Sequence, residues 1–178
     1  SANKPHAHCF SPDGTILLLG DFQVDNIDQY YLSIPFDLST SSYTGTKSIV
    51  SNGSFDCSID GKYIISTGRS QTLYVTEVSN PCDIVSSIVS EKTYNISETS
   101  AEFYGLKISD DGYTIYVTDR SAGVVTIELN SPYGFDDVKN VSYNNMGYDS
   151  YDIDMSRDSE TIFLVDDQEQ SIQVYEKT

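Results

Sequence analysis

The chain has 178 residues, a size at which one core can be buried without metals or a disulfide framework. Asp and Glu outnumber Lys and Arg by 27 to 10, so the net charge of -17 repels phosphate backbones and anionic lipid surfaces and excludes nucleic acid as a partner class. No apolar run approaches the roughly 18 residues that span a bilayer, so membrane insertion is not expected, while 14 Tyr, 7 Phe and many Ile and Val predict packed sheet rather than disorder.

In chain order, the first predicted feature is a turn, Ser11-Pro12-Asp13-Gly14, followed by the apolar pair Leu17-Leu18 and a third strand over Gln29 to Ile34. Ser58-Ile59-Asp60-Gly61 precedes Ile64-Ile65 and a strand over Thr72 to Val78. Ser109-Asp110-Asp111-Gly112 precedes Ile115-Tyr116 and a strand over Gly123 to Leu129. A degenerate Ser156-Arg157-Asp158-Ser159 precedes Ile162-Phe163 and a strand over Ser171 to Tyr175. Asp13, Asp60, Asp111 and Asp158 thus stand 47, 51 and 47 residues apart. Asp-Gly between apolar runs marks a hairpin, because Gly tolerates positive φ and Asp bonds the local backbone. Adjacent apolar residues predict strands covered on both faces. Fourth strands are expected near Lys47 to Val50, Asp83 to Val89 and Asp137 to Tyr143.

A period in the forties with four antiparallel strands per unit predicts an all-β fold, a β-propeller of four four-stranded antiparallel blades. The whole chain, 1–178, reads as one propeller domain or propeller fragment, with units over about 6–50, 51–98, 99–145 and 146–178. The last blade is one strand short, so part of a larger propeller, self-association or pairing with further blades is expected, beside an unusual four-bladed ring. The chain opens on Ser1, which suggests a processed chain or an excised segment.

Ile115-Tyr116-Val117-Thr118-Asp119 with Gly123 to Pro132, and the run Leu73 to Pro81, resemble the blades of LVIVD-type and YVTN-type repeat propellers. The resemblance implies a scaffold and brings no catalytic residue with it.

Candidate ligand-binding residues come from aligning the units. Seven residues before the turn Asp lie His6, Gly53, Tyr104 and Tyr151; seven after the fourth turn residue lie Asp21, Gly68, Asp119 and Asp166. Arg69 and Arg120 adjoin this set. Equal distances from a hairpin turn bring such residues to one rim. Tyr offers a flat face and a hydroxyl, and Asp accepts from sugar hydroxyls or peptide amines. The bland alternative is that each Asp caps the next turn. Truncating Tyr104 or Tyr151 is expected to weaken ligand binding with little change in thermal midpoint.

The expected function is therefore a non-enzymatic binding or scaffolding module for a protein or carbohydrate ligand, with no cofactor and no metal. One alternative is a propeller hydrolase or lactonase with a metal near His6, His8, Asp21 or Asp119; another is a structural assembly component. A Ser-His-Asp constellation has little material, since both histidines sit together and no G-x-S-x-G elbow occurs. Asp21, Asp25 and Asp28 read as a solvated loop, without calcium-loop spacing. Cys9, Cys57 and Cys82 read as three buried free thiols. Sequons at Asn52, Asn95 and Asn140 tilt the expectation toward a secreted or cell-surface protein.

Overall fold

A computed structural model describes residues 5–21, 24–49, 53–68, 71–96, 102–119, 123–147, 149–156, 158–166 and 169–176. Its strands form four antiparallel meanders arranged as the blades of a propeller, the fold class expected. Blade 1 contains β1 (Pro5–Phe10), β2 (Ile16–Asp21), β3 (Asn26–Leu32) and β4 (Ser41–Ser48). Blade 2 contains β5 (Ser54–Cys57), β6 (Tyr63–Thr67), β7 (Thr72–Val78) and β8 (Ile88–Asn95). Blade 3 contains β9 (Phe103–Ile108), β10 (Thr114–Asp119), β11 (Gly123–Leu129) and β12 (Val138–Asn145). Blade 4 has three strands, β13 (Ser150–Met155), β14 (Thr161–Asp166) and β15 (Ser171–Glu176).

Each predicted turn is held by the same side-chain device. Ser11 donates to Asp13 Oδ1 at 2.6 Å, and that carboxylate accepts from Thr15 N at 3.0 Å, while Ser11 Oγ accepts from Ile16 N at 2.8 Å. Ser58 with Asp60, Ser109 with Asp111 and Ser156 with Asp158 repeat the Ser-to-Asp bond at 2.7, 2.7 and 2.5 Å. The fourth turn position has φ of +71°, +70° and +73° at Gly14, Gly61 and Gly112. Ser159 adopts +60° in the degenerate copy, a left-handed conformation that disfavours a Cβ.

The apolar pairs point to opposite seams, as a doubly covered sheet requires. Leu18 and Ile64 join the cluster between blades 1 and 2, and Ile65 and Ile115 that between blades 2 and 3. Tyr116 lies in the cluster between blades 3 and 4 with Val124, Ile153 and Leu164. Gln29 adds a polar tie across the first seam, donating to Asp83 Oδ1 at 3.3 Å and accepting from Ile84 N at 2.9 Å.

The outer strands differ from expectation. β4, β8 and β12 begin at Ser41, Ile88 and Val138, whereas Lys47, Asp83 and Asp137 were the predicted starts. Asp83 instead caps a turn, accepting from Val85 N and Ser86 N at 3.2 and 3.0 Å. The cysteine reading is also corrected. Cys9 and Cys57 form a disulfide across the first seam, with Cα atoms 6.1 Å apart. Cys82 alone is a free, buried thiol, and burial, followed by Asp13, Asp56 and Asp60, pushes it up to about 12.

Candidate functional site

The innermost strands β1, β5, β9 and β13 pack in succession, β1 on β5, β5 on β9 and β9 on β13, and line the axis. A cavity of about 210 Å³ opens there among His6, His8, Ser54, Asp56, Lys107, Asp152 and Asp154, with aliphatic and Phe55 neighbours. Two larger grooves, of about 590 and 600 Å³, run between outer strands of adjacent blades. Their walls are dominated by Thr, Asn, Tyr and aliphatic groups, so the axial cavity is the place where charged groups converge.

Repetition explains this convergence. Two residues before each turn Ser stand Cys9, Asp56, Lys107 and Asp154, one per blade and all on innermost strands. Lys107 bridges its neighbours on either side, lying 3.3 Å from Asp56 and 3.4 Å from Asp154. Burial opposes the Lys107 ammonium, yet Asp56 and Asp154 more than offset that and hold it above the usual lysine value. Burial pushes the Asp56 carboxyl upward, against the pull of Lys107 and of the backbone N–H groups of Ile108 and Cys57, which donate at 3.1 and 2.9 Å. Asp152 touches solvent but lies inside the concavity, where displaced water raises its pKa despite His6 and His8 nearby.

The aligned set of His6, Tyr104 and Tyr151 occupies a shared structural position. Each falls where the innermost strand carries one residue more than its partner: between Pro5 and Ala7, between Phe103 and Leu106, and between Ser150 and Asp152. Such β-bulges re-aim side chains and leave a backbone group to be paired. In blades 2 and 3 a threonine does this, Thr67 Oγ1 accepting from Ser54 N at 3.0 Å and Thr118 Oγ1 from Gly105 N at 2.7 Å. Gly53 takes the bulge position in blade 2, where a Cβ would lie 2.3 Å from Thr67 Oγ1 and 2.8 Å from the Phe103 carbonyl.

Of the candidate residues, His6 reaches the axial cavity. Tyr104 is only 3% exposed; its ring lies 5.0 Å from that of half-buried Tyr151 and its hydroxyl donates to Glu102 at 3.1 Å. The small midpoint change expected on truncating Tyr104 is therefore replaced by a loss of core packing. Asp21, Asp119 and Asp166 are 3%, 2% and 1% exposed, and Asp166 accepts from Glu169 N at 3.1 Å. Arg69 and Arg120 lie outside the described residues. Asp56, Lys107, Asp152 and Asp154 were missed by sequence reasoning, although reading the position two before each turn Ser would have found three of them.

No family profile and no curated protein matches the chain. Among solved structures it is similar to a protein of Bacteroides uniformis ATCC 8492 named, provisionally, as a 6-phosphogluconolactonase, with TM-score 0.75 and 19% identity over 100% of this chain and 55% of that one. A protein of Bacteroides fragilis NCTC 9343 carrying the same provisional name gives 0.73 and 18% over 98% and 51%. Hydrazine synthase of Kuenenia stuttgartiensis gives 0.66 and 18% over 99% and 47%. The chain spans about half the length of these proteins, and at such identity the likeness establishes the propeller fold alone.

Proposed function

We propose that the chain is a binding module whose axial cavity takes a carbohydrate, with an amine-bearing sugar favoured over a phosphorylated one. The observation that carries this reading is the charge of the cavity wall: Asp56, Asp152 and Asp154 against Lys107, which two of them already engage. Carboxylates accept from hydroxyls and ammonium groups and repel phosphate. The test is calorimetry with glucosamine, glucose and 6-phosphogluconate. Glucosamine should bind best, and Asp154→Asn should weaken it about tenfold, one charge-assisted hydrogen bond being worth about 1.5 kcal/mol or more. Preferred binding of 6-phosphogluconate would overturn the reading.

A second reading, a lactone hydrolase, is supported by Asp152, a carboxyl with a raised pKa beside two imidazoles, the setting of a general base. The provisional names of the two Bacteroides proteins add to it. Among the described residues, His6 and His8 belong to no group of three metal-ligating side chains with ligand atoms within 4.8 Å, so the metal-assisted form gains no support from them. Lactone turnover abolished by Asp152→Asn, and unaffected by chelator, would favour the hydrolase over the binding module.

A further inference from the structure

All three cysteines of the chain meet at one place. Cys9 is the last residue but one of the inner strand of blade 1, Cys57 ends that of blade 2, and Cys82 lies in the loop after β7. Their sulfurs all lie within 4.8 Å of one another, and among the described residues no imidazole or carboxylate joins the group.

The repeat shows what these positions hold elsewhere. Phe36, Cys82 and Tyr133 are equivalent: each has positive φ, at +61°, +56° and +55°, and each N–H donates to the turn glycine's carbonyl, at Gly14, Gly61 and Gly112. Phe10 and Cys57 are likewise equivalent, each standing one residue before the turn Ser. Blade 1 fills the two positions with a ring pair, Phe10 and Phe36, whose centroids are 5.4 Å apart. Blade 2 fills both with cysteine, and the facing residue of blade 1 is the third cysteine. Phe36 is 60% exposed whereas Cys82 is fully buried, so blade 2 places a cysteine at this repeat position where the neighbouring blade encloses it. One disulfide accounts for two sulfurs and leaves Cys82 without a reason.

We propose that Cys9, Cys57 and Cys82, once reduced, form a three-sulfur site for a thiophilic monovalent cation of the Cu(I) class at the seam of blades 1 and 2. Metal–sulfur bonds of about 2.3 Å in a trigonal plane place sulfurs about 4 Å apart, within the observed spread. Soft thiolates select such cations, and a structural zinc site takes a fourth ligand that this cluster lacks. A dithiol reductant opens the site: the Cys9–Cys57 bond breaks, its sulfurs gain two electrons and two protons, and the reductant's thiols join as a disulfide. Cation binding then releases three thiol protons to solvent. In an oxidising compartment the disulfide closes the site.

The test uses the full chain, reduced with a phosphine under anaerobic conditions and titrated with Cu(I) against bicinchoninate. One equivalent should bind, and the oxidised protein and Cys82→Ser should each bind at least 100-fold more weakly. X-ray absorption at the copper edge of the parent protein should count three sulfur neighbours, a readout independent of how any variant folds. Two sulfurs, Cys82→Ser affinity within threefold of the parent, or tighter binding of Zn²⁺ than of Cu(I) would overturn the proposal.

Discussion

Blades 3 and 4 present the same repeat positions to different surroundings. Tyr116, Thr118 and Val124 of blade 3 face blade 4 and are 4%, 0% and 5% exposed. Their counterparts Phe163, Val165 and Ile172 in blade 4 are 37%, 41% and 66% exposed, and Val174 beside them is 58% exposed. The outer residues are at least as apolar as the inner ones, so burial here is conferred by the neighbouring blade and not by residue type. The energetic weight of a repeat position should follow that neighbour, which makes the comparison testable.

The largest contrast is expected at the aromatic position. Tyr116→Ala should cost about 3–5 kcal/mol in urea unfolding, as for a buried aromatic, whereas Phe163→Ala should cost less than about 1 kcal/mol. Equal losses would mean that blade 4 is covered in solution. Next comes the axial ion pair, where Lys107→Met leaves Asp56 in its buried position without its cation and should cost about 2 kcal/mol. Its partner on blade 4, Asp154, is largely solvent-exposed, so Asp154→Asn should change unfolding by less than about 1 kcal/mol.

The bulges give a smaller effect. Thr118→Val removes the acceptor for Gly105 N–H and should cost about 1–2 kcal/mol, while Val165→Thr at the matching place in blade 4 should be neutral within about 0.5 kcal/mol. The turns give the smallest. Ser159→Gly should stabilise by about 0.5–1 kcal/mol, relieving the positive φ that glycine carries in the other three copies. The Asp13 carboxyl is held below its ordinary 3.8 by hydrogen bonds from Ser11 and Thr15. Its contribution is therefore complete above the unfolded pKa and lost as pH falls through the folded one. Below about pH 4, Asp13→Asn should flatten the acid-induced fall of the thermal midpoint, and an unchanged slope would assign that fall to other carboxyls.

How far these features could be read in advance depends on how local their causes are. The turns were legible because Ser, Asp and Gly act within five residues, and β7 and β11 were legible because each is rich in β-branched residues. The outer strands were misplaced because β8, Ile-Val-Ser-Glu-Lys-Thr-Tyr-Asn, is mostly exposed and carries no clean alternation, while Asp83 resembles a strand start until its capping bonds are seen. The Cys9–Cys57 bond joins residues 48 apart across a seam, a relation no spacing rule supplies. The axial cluster was hidden for another reason: Cys9, Asp56, Lys107 and Asp154 share a position but no chemistry, so the repeat alignment marks their place and not their charge.

The strand order within every blade is a plain meander, each strand pairing with the next in sequence and the first turn of each blade braced by its own Ser and Asp. Pairings inside a blade then close only short loops, while the seams between blades supply the longer-range contacts. Such a chain behaves as a short stack in which each unit adds its own stability and one interface. Blade 4 has an interface on one side and an exposed apolar face on the other. Amide hydrogens of β14 and β15 should therefore exchange through a local opening that leaves the seam of blades 2 and 3 protected.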